Sequence, residues 1–170
     1  SYKLRPALGL HIDLADIFAD HAQGHQLQPA QQPYGHHGGY LTPLLAEFRA
    51  ETGADRVMYF EFHNSVETLE GLPFKFFDLI KCVPKYGIPE VQGDVYKNVN
   101  AAMYSELFFD VNNGKILTCH GFYDKEFNTN YRGVYKLISG LDHSEQQVIF
   151  SVPGIRRPIG FIVLEWMDHK

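Results

Sequence analysis

The sequence of 170 residues is long enough for one domain, with or without an additional arm, and for a substantial buried core. Apolar residues make up 45% and charged residues 21% of the chain, as in an ordinary soluble globular protein, and no apolar run approaches the roughly 20 residues that span a bilayer. The net charge of −5 disfavours nucleic acid as a partner, and the presence of only two cysteines favours a reduced, cytoplasmic compartment over a disulfide scaffold.

The first part of the chain, residues 1–39, differs in pattern from the rest. Apolar residues recur at helical spacing over residues 10–22 and predict a helix. Residues 24–39 are rich in Gln, Pro, Gly and His and have no period, which predicts a polar loop. The histidines of this loop match no closed zinc pattern, so we expect no metal site. The main domain is therefore expected over residues 40–170.

Two elements open the main domain. A helix is predicted over residues 42–52, with Thr42 as its N-cap, Pro43 at its first position and Gly53 at its end. A strand follows over residues 54–64. Most of its residues are apolar or aromatic on both faces, so we expect this strand to lie in the centre of a sheet.

The rest of the domain alternates between strand and helix patterns. Strands are predicted over residues 74–83 and 115–121, a helix over 94–109, and a closing hairpin over 145–167. A further helix is predicted over residues 127–140. The helix at 94–109 is expected to bury Val95, Val99, Ala102, Met103 and Leu107. The helix at 127–140 is expected to bury Phe127, Tyr131, Val134, Tyr135 and Ile138.

This order of elements predicts the fold class. Two helices precede two strands, and two more helices are inserted before the hairpin, which indicates an α+β protein. We expect a three-layer sandwich in which helices cover both faces of a five-stranded, mostly antiparallel sheet. A ligand could then lie between the sheet and the inserted helices.

Alternation in the first strand predicts how its two faces are used. Met58, Phe60 and Phe62 form a purely apolar face, which we expect to pack against the helix over residues 42–52. The other face carries Glu61 and, two residues further, a histidine. This mixed face is expected to lie toward the inserted helices, and because an unpaired buried carboxylate is costly, Glu61 must have a partner.

Three stretches of the sequence resemble the GAF domain family. They are "GADRVMYFEFHN", "GLPFKFFDLIKCV" and the hairpin "QQVIFSVPGIRRPIGFIVLEWM", so the resemblance spans about residues 40–168. In that family the last two strands typically read as an apolar strand ending in Val-Pro, a turn, then Gly and another apolar strand. Here Val152-Pro153 and Gly160 fit this pattern. The Phe-His-Asn after the first strand and the following Gly-Leu-Pro-Phe are also similar to GAF-like proteins of bacterial viruses.

The resemblance implies a small-molecule pocket over the mixed face of the first strand. The expected lining residues are Tyr59, Glu61, His63, Asn64, Tyr131, Tyr135 and Glu165. It does not name the ligand or a cofactor. The chain lacks the Asn-Lys…Phe…Asp-Glu signature of cyclic-nucleotide-binding members. Its Cys119-His120 pair lies too far from the closing hairpin to match bilin-binding members.

Three functions stay open on this basis. The first is a ligand-binding or regulatory module without catalytic activity, since no catalytic motif stands out. The second is a module for protein interaction or homodimerisation whose cavity is filled by its own side chains. The third is a redox enzyme of the free methionine sulfoxide reductase type, which would use Cys82 and Cys119. Both cysteines lie in apolar strands, so we expect buried free thiols without a catalytic role.

Overall fold

The computed structural model describes residues 38–64, 69, 71–121, 123–134, 144–154 and 156–167. The helix predicted over residues 10–22 and most of the loop predicted over 24–39 lie outside these ranges. Among the described helices, none has the length and apolar character that a bilayer span requires.

The first described helix, α1, runs from Gly38 to Thr52 and begins four residues before the predicted start at Thr42. Pro43 therefore lies inside the helix instead of at its first position. The predicted end is confirmed, because Gly53 has a φ of 71°. Glycine adopts this left-handed conformation without the steric cost of a Cβ atom.

The described residues contain six strands, which are β1 (Arg56–His63), β2 (Phe76–Pro84), β3 (Val99–Asn100), β4 (Leu117–Cys119), β5 (Ser144–Val152) and β6 (Gly160–Met167). They form one antiparallel sheet in the order β3-β2-β1-β6-β5-β4. The central position of β1 is confirmed, and β1 pairs with β2 on one side and β6 on the other. The predicted number of five strands is one too few, because β3 was not expected.

The unexpected strand lies where one helix was predicted over residues 94–109. The chain there forms a 3₁₀ turn (Gly93–Tyr96), β3, a second 3₁₀ turn (Ala101–Tyr104) and then helix α2 (Ser105–Asn112). Asn98 has a φ of 51°, which a continuing α-helix does not allow. The predicted buried stripe is wrong in part, since Val95 is 61% and Met103 68% exposed.

Within the described residues, the helix predicted over residues 127–140 is interrupted after Asn130. Helix α3 runs from Lys125 to Asn130, and Gly133 has a φ of 80° shortly after its end. Phe127 and Val134 are buried as predicted, and Tyr131 is half-buried against the same core. The other two residues of the predicted stripe, Tyr135 and Ile138, lie outside the described ranges.

Each face of the sheet has its own apolar core. On one face, α1 packs Leu44, Leu45 and Phe48 against side chains of β1, β5 and β6. On the other face, the sheet is covered by the described loops and helices between β1 and β5, which we call the inserted segment and which include α2 and α3. The predicted arrangement of helices on both faces of a sheet is therefore confirmed.

The predicted facing of β1 is wrong. Met58, Phe60 and Phe62 pack with the inserted segment, whereas Tyr59 belongs to the core under α1. The apolar residues of α1 are buried without contact to the purely apolar face of β1. They obtain most of their partners from β5 and β6, and β1 adds only Val57 and Tyr59.

The inserted segment supplies an aromatic cluster for the purely apolar face of β1. Phe60 stacks on Phe161 of β6 with ring centroids 4.6 Å apart, and Phe62 stacks on Phe74. Phe108 of α2 meets Phe161 at 5.2 Å. Aromatic pairs at these separations add stabilisation beyond the area that they bury. These ring contacts therefore stabilise the packing of the inserted segment on this face of β1.

The strands β1 and β6 approach each other closely at Gly160. A Cβ atom at this position would lie 2.0 Å from the Phe60 carbonyl oxygen, which is backbone and cannot rotate away. Only glycine therefore fits where the last strand begins its pairing with β1. The glycine of the family pattern is thus required by contact between two strands.

A buried polar row crosses the centre of the sheet. Arg56 of β1 and Glu165 of β6 are directly opposite each other and completely buried. The Arg56 Nε and Nη2 atoms each lie 3.0 Å from Glu165 Oε1, and Arg56 Nη1 donates to the Pro89 carbonyl. From β5, Gln147 Nε2 donates to Glu165 Oε2 at 3.3 Å. The row therefore links three neighbouring strands.

We expect Gly160→Ala to lower the free energy of unfolding by about 1–3 kcal/mol, because β6 must move away from β1 to admit the methyl group. Gly93→Ala is a matched control, since its Cβ would lie 3.5 Å from the nearest atom, an ordinary contact. Urea unfolding of both variants checks the prediction. Equal stabilities would contradict the close approach.

We expect Arg56→Met to lower the free energy of unfolding by about 3–5 kcal/mol, because it leaves the Glu165 carboxylate buried without its cation. The double variant Arg56→Met/Glu165→Leu should regain most of that loss. Arg132→Met, at an exposed arginine, serves as the control and should change stability by less than about 0.5 kcal/mol. A double variant no more stable than Arg56→Met would refute this account.

Candidate functional site

The residues predicted to line one pocket do not converge in the structure. The side of β1 that faces α1 carries Tyr59, Glu61 and His63, which are two residues apart along the strand. Tyr131 lies with the core on the opposite face. Glu165 is buried within the polar row of the sheet. The sheet itself separates the two groups, so these described residues do not line one common pocket.

The polar end of β1 is satisfied by its neighbours in the chain. Tyr59 donates its hydroxyl hydrogen to Glu61 Oε2 at 3.0 Å, and His63 Nε2 lies 3.1 Å from Asp78 Oδ1 on β2. Both Glu61 and His63 remain partly exposed, because they lie beyond the two β1 residues that α1 covers. Asn64, the last predicted residue here, is exposed and has a φ of 55°.

Glu165 has a structural role in this fold. Its two carboxylate oxygens accept hydrogen bonds from Arg56 and Gln147. Burial raises the pKa of Glu165, and the neighbouring Arg56 guanidinium opposes that shift. A carboxylate with both oxygens engaged and no exposed surface has no free position for a ligand.

A cleft of about 330 Å³ lies between the edge strand β4 and helix α3. Its lining comes from residues 116–131, which form β4, the turn after it and α3. The lining residues are Ile116, Leu117, Thr118, His120, Asp124, Glu126, Phe127, Asn130 and Tyr131. We call this feature the β4–α3 cleft. Of the seven residues predicted to line a pocket, it contains Tyr131, and Tyr135 lies outside the described ranges.

Asp124 holds the turn between β4 and α3 in place. One carboxylate oxygen accepts the backbone N–H of Phe127 at 3.0 Å, which makes Asp124 the N-cap of α3. The other oxygen accepts the backbone N–H of His120 at 2.9 Å. Gly121 has a φ of 91°, and a Cβ there would lie 3.2 Å from the Glu145 carbonyl oxygen. The turn is therefore fixed at both ends.

One side of the cleft is aromatic. Phe127 and Tyr131 lie with ring centroids 5.0 Å apart. The Tyr131 hydroxyl donates to Asp110 Oδ2 on α2, and Lys115 Nζ lies 3.2 Å from the other Asp110 oxygen. Because its hydroxyl is occupied, Tyr131 offers the cleft mainly the carbon surface of its ring.

The contact between α2 and α3 shifts two pKa values in opposite directions. The hydrogen bond from Tyr131, with a further contribution from Lys115, lowers the pKa of Asp110. Burial and the neighbouring Asp110 carboxylate raise the pKa of Tyr131 to about 12. The bond thus favours a neutral phenol next to an ionised carboxylate.

A second, smaller cleft of about 260 Å³ lies at the end of β1. It is bounded by Glu61, Phe62, Pro73, Phe74, Arg157, Pro158 and Ile159. Arg157 Nη1 donates to the Pro73 carbonyl at 3.2 Å and so connects the β5–β6 turn to the loop before β2. Of the predicted pocket residues, this cleft contains Glu61.

The two cysteines are free and buried, as predicted. Burial raises the pKa of Cys82 to about 11 and that of Cys119 to about 12, so the reactive thiolate is disfavoured at neutral pH. They lie on β2 and β4, which are four strand positions apart. At about 4.8 Å per position this is about 19 Å, whereas a disulfide needs Cα atoms within about 7 Å.

Sequence reasoning missed most of the β4–α3 cleft. The stretch "FYDKE", which contains Asp124 and Glu126, has the pattern of a helix end and a turn and matches no catalytic motif. Its Asp three residues before Phe127 is an N-cap pattern and could have placed the start of α3. Nothing in the sequence indicated that His120 and Asn130 face the same cleft. Among the described residues, no group of His, Cys, Asp and Glu is arranged to hold a metal ion.

We expect Tyr131→Phe to raise the pKa of Asp110 toward its ordinary value, because the hydrogen bond that favours the ionised carboxylate is lost. Stability contributed by Asp110 is present above its unfolded-state pKa and is lost as the pH falls through its lowered folded-state pKa. The variant should therefore lose less stability on acidification. Carboxyl NMR titration measures the shift, with Tyr86→Phe, at a fully exposed tyrosine, as the control. An unchanged titration of Asp110 would show that the bond is absent in solution.

Comparison with known proteins relates the fold to solved structures. No model of a known protein family matches the sequence, and no curated protein matches it either. The phycocyanobilin-bound GAF domain of a cyanobacterial phytochrome is similar, with a TM-score of 0.54 and 14% identity over 92% of this chain and 81% of that chain. The phycoerythrobilin-bound GAF domain of a cyanobacterial phytochrome gives 0.52 and 14%, over 94% and 82% of the two chains.

The bacteriophytochrome RpBphP3 from R. palustris is also similar, with a TM-score of 0.50 and 12% identity over 96% of this chain and 34% of that longer chain. Identities this low show shared architecture and leave the ligand undetermined. The resemblance found in the sequence is confirmed at this level. The chain has a GAF-like fold.

Proposed function

We propose that this chain is a small-molecule-binding regulatory module without catalytic activity, and that its ligand lies in the β4–α3 cleft. The observation that supports this proposal is the presence of the cleft. Its volume of about 330 Å³ lies at the lower end of the range of about 300–1,000 Å³ typical of ligand pockets. It combines apolar and aromatic surface with a few polar side chains, which is the usual composition of such pockets.

The similar structures support a binding role and suggest a different occupant. Two of them hold bilins. In this chain, Cys119 beside the cleft is completely buried and donates its thiol hydrogen to the Gly121 carbonyl. A thiol in that position favours a structural role over covalent attachment of a ligand. The modest volume of the cleft favours a compact molecule.

A second candidate function is a protein-interaction or homodimerisation module. The observation in its favour is the aromatic cluster between the sheet and the inserted segment. A ligand was predicted to lie between the sheet and the inserted helices. In the structure, aromatic side chains of the chain itself fill this space over β1. They are Phe60, Phe62, Phe74, Phe77, Phe108 and Phe161. In this alternative, the β4–α3 cleft would have no ligand of its own.

The third function weighed from the sequence, a redox enzyme, receives little support. The separation of Cys82 and Cys119 argues against a disulfide between them, and both thiols are buried. A cytoplasmic location and a closer relation to GAF-like proteins of bacterial viruses stay predictions from the sequence.

The cleft can be closed by one substitution. Asn130 lies at its rim on α3 and is exposed, so Asn130→Trp should fill the cleft without disturbing the core. Thr129→Trp places the same side chain on the same helix at an exposed residue outside the cleft, and serves as the matched control. We expect native mass spectrometry, after incubation with a small-molecule extract of the natural host, to show a bound mass on the wild type and on Thr129→Trp.

The same mass should be absent from Asn130→Trp. Retention of the mass by Asn130→Trp would place the ligand elsewhere in the chain. A wild type that retains no small molecule, together with a dimer in sedimentation analysis, would favour the interaction module instead.

A further inference from the structure

We infer that the β4–α3 cleft selects a small organic cation, an ammonium group carried on an apolar or aromatic body. This inference rests on the proposed function, because it names the class of ligand for the same site.

The cleft presents negative charge that the chain does not balance. Its lining contains two carboxylates, Asp124 and Glu126, and neither lysine nor arginine. In the part of the chain that the structure describes, the ion pairs involve other residues. Asp124 accepts hydrogen bonds from two backbone N–H groups, which are neutral and leave its charge in place.

The carboxylate on the neighbouring helix is balanced in a different way. Asp110 is paired with Lys115 and accepts the hydroxyl hydrogen of Tyr131. Lys115 does not line the cleft. Lys125, between the two carboxylates in sequence, is exposed and forms an ion pair with neither among the described residues. The charges of Asp124 and Glu126 are therefore left for a ligand to offset.

The aromatic side of the cleft suits the same ligand class. The Phe127 and Tyr131 rings are 5.0 Å apart and inclined at 55°, so they bound the cleft with carbon surface. Aromatic faces attract ammonium groups, most strongly when water is displaced. Carbon surface also accommodates an apolar body, which an inorganic cation lacks.

The fixed turn keeps the charge of Asp124 in one position in the cleft. Because Asp124 is bonded to the backbone at His120 and Phe127, its carboxylate cannot rotate away from a ligand or toward the solvent. A ligand that carries a carboxylate or phosphate would meet like charge with neither lysine nor arginine in the lining to offset it. Anionic ligands should therefore be rejected.

Three probes of the same shape test the inference: phenethylammonium, 2-phenylethanol and 3-phenylpropanoate. They carry a positive, neutral or negative group on the same phenyl ring and two-carbon spacer. We expect titrations followed by NMR at pH 8 and low salt to show phenethylammonium binding at least about 10-fold more tightly than phenylpropanoate, a difference of about 1.4 kcal/mol. The shifted resonances should belong to Phe127, Tyr131 and their neighbours.

The charge of Glu126 supplies the matched variant. Glu126→Gln keeps the shape of the side chain and should reduce phenethylammonium affinity about 3- to 5-fold, as expected for one exposed charge. Phenylethanol affinity should stay unchanged. Glu106→Gln, at an exposed glutamate in the first turn of α2 and outside the cleft, is the control and should have no effect.

Equal affinities for the three probes, a preference unaltered by Glu126→Gln, or the absence of shifts in the cleft would each overturn the inference. Tight binding of phenylethanol or phenylpropanoate in the cleft would overturn it while leaving the proposed function intact. The proposed function fails separately, if Asn130→Trp retains the natural ligand.

Discussion

The buried pair of Arg56 and Glu165 is the constraint around which the sheet is arranged. An ion pair without exposed surface is tolerated only when each partner stays opposite the other, because a shift of one strand by one residue would turn its charge to the opposite face from its partner. The pair therefore fixes the register of β1 against β6. Gln147 extends the constraint to β5. The positions of the two apolar cores, and of the clefts at their margins, follow from this register.

The order of elements could be predicted because each long strand is rich in apolar residues and Gly, Pro or Asn occurs near its ends. The facing of β1 could not, because both of its faces are apolar over the part that helices cover. Tyr59 and Phe60 differ little in hydrophobicity. What decides between them is how much apolar surface β5 and β6 already offer to α1, and that depends on pairing between distant segments. β3 was missed for a related reason, since two residues carry no period.

The site was harder to predict than the fold. The mixed face of β1 suggested a pocket because Glu61 and His63 stand out in an apolar strand, but Tyr59 and Asp78 satisfy them locally. The β4–α3 cleft instead depends on a short edge strand, a turn and a helix of one and a half turns. Such elements leave little pattern in a sequence. Only the N-cap residue Asp124 could have been recognised in advance.

The two edges of the sheet determine how copies of this protein can associate. The interior strands have eight or nine residues, whereas β3 has two and β4 has three. An edge strand exposes unpaired backbone groups that can recruit another chain, and a very short edge offers few of them. Growth of the sheet from molecule to molecule through β3 or β4 is therefore disfavoured.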